Sequence, residues 1–206
     1  DVHDYWNGPD NDRERVIARC LDHATADMSE EEFFSTLNGR RVEKFFRELE
    51  QGQTKHIYVF GGSMTAGRLV GGIHGAWPAL FGHAMNEQLK ANGGKIHVHN
   101  LAVPATTSEF FLHRIPAYFP HEGETNHSVL GGGQAADMII LDYNVNDCAA
   151  LSPGGRKPDD VARLRQLGFF EAIVRRLMKL HSNPAIVYYD VAVTHPEAFQ
   201  MGVNCD

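Results

Sequence analysis

Across 206 residues there are only three cysteines, Cys20, Cys148 and Cys205, and no C-x-x-C pair. An odd number excludes a complete set of intrachain disulfides, so at least one thiol is free or paired with another chain. One bridge stays open and the redox compartment is undecided. Basic residues are outnumbered: 19 Lys and Arg against 26 Asp and Glu give a formal charge of −7. Phosphate binding needs clustered Lys and Arg, so no nucleic-acid partner is expected. No apolar run approaches the ~20 residues of a membrane-spanning helix, and no membrane span is expected. Internal repeats, low-complexity tracts and an interdomain linker are also missing. The twelve histidines are scattered and show no H-E-x-x-H or comparable ligand spacing, so no metal site is expected. The chain begins at Asp1 rather than Met and shows no signal-peptide pattern. We read it as a processed or trimmed product whose targeting segment is lost from view, with a secreted or organellar compartment left open.

What is present is ordinary globular composition, enough for one domain with a sizeable core. The first 30 residues are polar, with a modest apolar stripe (Val16, Ile17, Leu21) that predicts a helix over 13–23. Ser29 and Glu32 form a capping-box start. Phe33, Phe34 and Leu37, then Val42, Phe45, Phe46 and Leu49, recur at helical spacing; Asn38-Gly39 between them predicts two short helices or one bent one. The rest of the chain alternates. Strands are predicted at 56–60, 95–103, 136–143 and 184–193. Helices are predicted at 74–92, starting near Trp77 with Pro78 at an early position, at 107–119 and at 158–181. Residues 121–134 and 153–155 read as loops. Strands alternating with helices at this spacing argue for a parallel sheet covered on both faces, with ligands at the carboxyl ends of the strands.

Those strand ends carry the chemistry. The first runs into Gly61-Gly62-Ser63-Met64-Thr65-Ala66-Gly67, a sharp glycine turn that lifts a serine off a buried strand. The second ends in Asn100-Leu101-Ala102-Val103-Pro104-Ala105-Thr106-Thr107-Ser108, and the third in Asp142-Tyr143-Asn144-Val145-Asn146-Asp147. A serine beside an asparagine amide and free backbone N–H groups suits acyl transfer: the serine attacks a carbonyl and the donors stabilise the oxyanion.

In order and strand context, these three stretches resemble blocks I, II and III of the SGNH hydrolases, the GDSL-type esterase and lipase family. The resemblance covers roughly residues 56–193. It implies a flavodoxin-like three-layer α/β/α fold over residues 53–206, with residues 1–52 as a helical extension packed on the domain. It further implies Ser63 as nucleophile, and an oxyanion hole made of the Ser63 N–H, the Ala105 N–H and the Asn146 side-chain amide. No metal or organic cofactor is implied. The substrate would be a small-molecule or carbohydrate ester.

Several positions depart from the family pattern. Gly62 stands where an aspartate usually precedes the serine, a tolerable loss because that aspartate is not the catalytic acid. Ala105 replaces the glycine of the second block, where the extra methyl either crowds the site or alters the turn. Asn144 replaces the glycine of the third block, at a position expected to tolerate left-handed backbone. The Asp-x-x-His block that supplies the base and its orienter is not found. Asp190 and His195-Pro196 come nearest, with Ala192 where the aspartate would fall. Three readings follow: the base lies on a segment beyond Asp206, which four strands instead of five would favour; His195 or another strand-end histidine is the base; or the chain is a catalytically degenerate relative acting as a binding module or structural subunit, with a protein partner or oligomer. A nucleotide-binding role is disfavoured, because the Ser63 turn lacks the P-loop lysine and is not G-x-G-x-x-G.

Overall fold

The computed structural model describes residues 37–119, 135–151 and 160–189. Four strands form one sheet: β1 (Thr54–Gly61), β2 (Lys95–Asn100), β3 (Met138–Asp142) and β4 (Ala185–Tyr188). All pairings are parallel and the spatial order is β2-β1-β3-β4. This is the doubly wound, flavodoxin-like order, in which the connections change direction between β1 and β3. The expected α/β architecture is therefore the observed one.

The helices are α1 (Leu37–Glu50), α2 (Trp77–Leu89), α3 (Ser108–Tyr118), α4 (Asn144–Leu151) and α5 (Asp160–Leu177). Strand alternation sorts the core into two clusters. Ile57, Val59, Ile96, Met138, Ile140 and Ala185 face one way and meet Phe45 and Leu49 of α1 and Leu89 of α2. Tyr58, Phe60, Ile139, Leu141 and Ile186 face the other way and meet Phe111, Leu112 and Ile115 of α3 and Ile173, Val174 and Leu177 of α5. Every residue of β3 is buried, as its unbroken apolar run requires of a strand covered on both faces.

The predicted elements recur with trimmed ends. The helix predicted over 74–92 begins at Trp77, with Pro78 in its first turn. Strand β2 ends at Asn100, yet its backbone keeps bonding to β1, from Leu101 N–H to Val59 and from Val103 N–H to Gly61 at 3.0 Å. Two findings differ from the sequence reading. Asn38-Gly39 does not interrupt a helix but lies inside the first turn of α1. The stretch after β3, read as the polar end of the third strand, winds into α4 from Asn144. The predicted helix at 13–23, the Ser29 cap, Phe33 and Phe34, the glycine cluster at 131–133, the loop at 153–155, Cys20, Cys205 and the strand residues beyond 189 lie outside the described residues.

Asn38 shows why its position overrides local propensity. Its amide donates to Ile186 O and accepts from Ile186 N–H, both at 3.0 Å and buried. A side chain thus imitates a neighbouring strand beside β4, satisfying backbone groups that have no strand partner on that side among the described residues. Arg41, one turn on, reaches Asn183 Oδ1 at 2.8 Å. Lys55 of β1 bonds Glu48 of α1 at 2.5 Å and Asp137 at 3.2 Å, tying the helix to the sheet from its other end. Replacing Asn38 with Ala orphans a buried N–H and a buried C=O together. We expect Asn38→Ala to lose about 2 kcal/mol of folding stability, read as a lower urea midpoint with an unchanged m-value.

Candidate active site

The site is built where β1 and β3 end side by side, at the point where the sheet reverses its winding. Gly61 pairs with Asp142 in register, and Gly62 N–H continues the ladder to Asp142 O at 3.3 Å. Beyond these ends Gly62, Ser63, Met64, Thr65, Asp142, Val145 and Asn146 line one recess. The Ser63 and Asn146 predicted from separate strand ends are brought together here.

Position 62 lies against Asn146. A Cβ built there would collide with the Asn146 side-chain amide. With Asn146 so placed, a side chain at 62 would require the amide to move. Asn146 is oriented from the other side, donating from Nδ2 to Thr106 O at 2.6 Å. Thr106 is held in turn by its own Oγ1, which donates to Val103 O at 2.7 Å. The second and third sequence blocks therefore meet through the Thr106 carbonyl and the Asn146 amide.

Ala105 lies between these anchors with φ of +61°. That is left-handed backbone, the region where glycine is favoured and an L-residue carries roughly 1–2 kcal/mol of strain. The family's glycine is missing, but the backbone shape that glycine favours is kept. The side chain is exposed, so the methyl group crowds nothing. The expectation for Asn144 is corrected: it opens helix α4 and does not take a positive φ.

Three residues whose roles the sequence did not reveal underlie the serine turn. Asp142, at the end of β3, is buried and accepts from Thr65 Oγ1 at 2.6 Å and from Trp77 Nε1 at 3.1 Å. Thr65 has no exposed surface, and its carbonyl accepts from Asn100 Nδ2 at 2.6 Å. The signal available was an acid closing an otherwise apolar strand. Asp147 is buried as well, accepting at 2.8 Å from Ser108 N–H, where α3 begins. Burial pushes its carboxyl up to about 6, against the opposing effect of its Ser108 and Gln166 hydrogen bonds.

No hydrogen bond to Ser63 Oγ is made among the described residues. His195 and Asp190 lie outside them. The histidines are less scattered than their spacing suggested. The parallel register sets His56 beside His97, and His56 Nδ1 lies 2.9 Å from His99 Nε2. Burial, with the neighbouring His56 as a further contribution, lowers the pKa of both His97 and His99. Among the described residues no group of three or more His, Cys, Asp or Glu is arranged to hold a metal ion. No helix there is long and apolar enough to cross a membrane.

No family model matches the chain, and no curated protein sequence does. Solved structures do. A two-domain esterase, CEX, active on acetylated mannans, superposes with a TM-score of 0.51 at 19% identity over 72% of this chain. Its co-crystal with mannopentaose gives 0.54. This chain has an SGNH-like hydrolase fold. It spans about a third of the two-domain esterase, 33–34% of that chain's length. A variant of the esterase AlinE4 is also similar, with a TM-score of 0.44, 18% identity and 68% of its own length covered. The SGNH-like frame locates the Ser63 turn after β1, the Ala105 turn after β2 and Asn146 after β3, at one rim.

Two measurements test this local account. Ala105→Gly releases the left-handed strain and should raise stability by about 1 kcal/mol, seen as a higher denaturation midpoint. Asp147 has a raised pKa, so the fold prefers its protonated form. Its stabilising contribution is complete below its ordinary value of 3.8 and is lost as pH rises through about 6. Asp147→Asn should flatten the pH dependence of the urea midpoint between pH 4 and 8, removing a decline of order 2 kcal/mol.

Proposed function

We propose that this chain is the nucleophile-bearing domain of a serine ester hydrolase acting on acyl esters. The observation that supports it most is the shared recess of Ser63 and Asn146, with the asparagine amide already turned by Thr106 O. An amide group has two hydrogens; one is committed to Thr106, and the other is the one to offer an oxyanion. In the proposed reaction Ser63 Oγ attacks the ester carbonyl carbon while a base takes its proton. The tetrahedral oxyanion is held by the Asn146 amide and by the Ser63 and Ala105 N–H groups. The carbon–oxygen bond to the alcohol then breaks, and that oxygen leaves with the proton the base accepted. Water, deprotonated by the same base, releases the acid and restores Ser63. The base candidate within the sequence is His195. Esters of carbohydrate hydroxyls are the proposed alcohol half, supported by the similarity to an esterase active on acetylated mannans.

One observation favours a second reading, a catalytically degenerate module that binds rather than reacts. Among the described residues Ser63 Oγ has no hydrogen-bonded base, and an unactivated serine is a weak nucleophile at neutral pH. A fluorophosphonate probe separates the two. Labelling of Ser63 that is abolished in Ser63→Ala, with p-nitrophenyl acetate hydrolysis falling ~10²–10³-fold in Asn146→Ala, is the expected result. Absent labelling, with Ser63→Ala as active as the unaltered chain, leaves the binding module.

A further inference from the structure

The loop that carries Ser63 has a surface its own fold does not use. Met64 is 50% exposed, Leu69 93%, Val70 56% and Ile73 54%. Single exposed apolar side chains are ordinary, but four within ten residues on one loop form a patch that internal packing does not explain.

The patch adjoins the recess rather than lying elsewhere on the surface. Met64 lines the recess with Ser63. Ser63 O accepts from Arg68 N–H at 3.1 Å, so the chain turns back at once and presents Leu69 and Val70 directly after it. Val103, also exposed, is bonded through its N–H to Gly61 on the other side of the turn. Within the loop the Gly67 carbonyl accepts from the Val70 and Gly72 N–H groups, and at its two ends Thr65 and Trp77 both bond Asp142. Between them Gly71 and Gly72 have positive φ, and nothing lies within 4 Å of where a Cβ would sit. The tip therefore stands clear of the body. Its charge is as selective as its polarity. The chain carries 26 acidic residues, yet none falls between Glu50 and Glu87.

A mostly apolar segment that has no carboxylate, exposes Arg68 among its apolar side chains and His74 directly after them, and joins the serine recess through Met64 suits the hydrocarbon part of an ester. Of its four exposed apolar side chains only Met64 lines the recess; Leu69, Val70 and Ile73 lie beyond it. We infer that the 64–73 segment seats the acyl chain, and that the acyl half of the substrate is a medium-length apolar chain rather than acetyl. The inference rests on the ester-hydrolase reading and concerns only the acyl half.

The test is a chain-length series of p-nitrophenyl esters from acetate to octanoate, run on the full chain beside binding of sodium laurate below its micellar concentration. Each methylene removed from water is worth up to about fourfold; with the chain lying on an open surface, kcat/KM should rise about tenfold from acetate to octanoate. The double variant Leu69→Ser, Ile73→Ser should lose that octanoate preference and weaken laurate binding by a similar factor, while Ser63 still labels with fluorophosphonate. A flat or falling series, or an octanoate preference untouched by the double variant, overturns the inference while leaving the hydrolase reading intact. If no ester is cleaved and Ser63 does not label, the hydrolase reading fails. Laurate then decides the seat alone: binding weakened by the double variant sustains it, and binding that is absent or unchanged ends it.

Discussion

One buried carboxylate carries much of the site. Asp142 closes β3, and its two acceptances, from Thr65 and from Trp77, fasten both ends of the loop that presents Ser63. Thr65 is then held from β2 by Asn100. The ends of β1, β2 and β3 are thus linked through the first turn after Ser63. A carboxylate out of water is tolerable only when its oxygens are matched by donors, and here a hydroxyl and an indole N–H serve. The constraint runs both ways. The donors make the acid tolerable, and the acid fixes where the serine turn can lie.

The other structural economy is steric. Gly62 leaves the volume that the Asn146 amide occupies, and Ala105 accepts a left-handed backbone that glycine would take without strain. Two departures from the SGNH pattern therefore have different characters. At 62 the missing side chain leaves room for the Asn146 amide. At 105 the turn is retained at an energetic cost.

The layer architecture was legible because period and burial agree. The unbroken apolar run of β3 and the Pro78 start of α2 are local signals that tertiary contacts did not oppose. Asn38-Gly39 misled because poor helix formers normally mark a break. The break did not occur, since Asn38 gains two buried hydrogen bonds to Ile186, about 150 residues on. Helix α4 was missed because its first turn coincides with a motif that reads as a strand end. The histidine grouping was missed because it arises across strands, from the register of β1 and β2.

By itself the sequence determined the alternation of elements, the parallel sheet and the three strand ends at which polar groups gather. Those follow from periodicity and from glycine and proline punctuation, which act over a few residues. Only the tertiary structure decided that Asp142, Thr65 and Trp77 meet, that position 62 lies against the Asn146 amide and that apolar side chains of the 64–73 segment stay exposed. Each depends on contact, or the lack of it, between residues up to 84 apart, as from Gly62 to Asn146. Spacing along a chain does not encode such distances until strand order and register have been set.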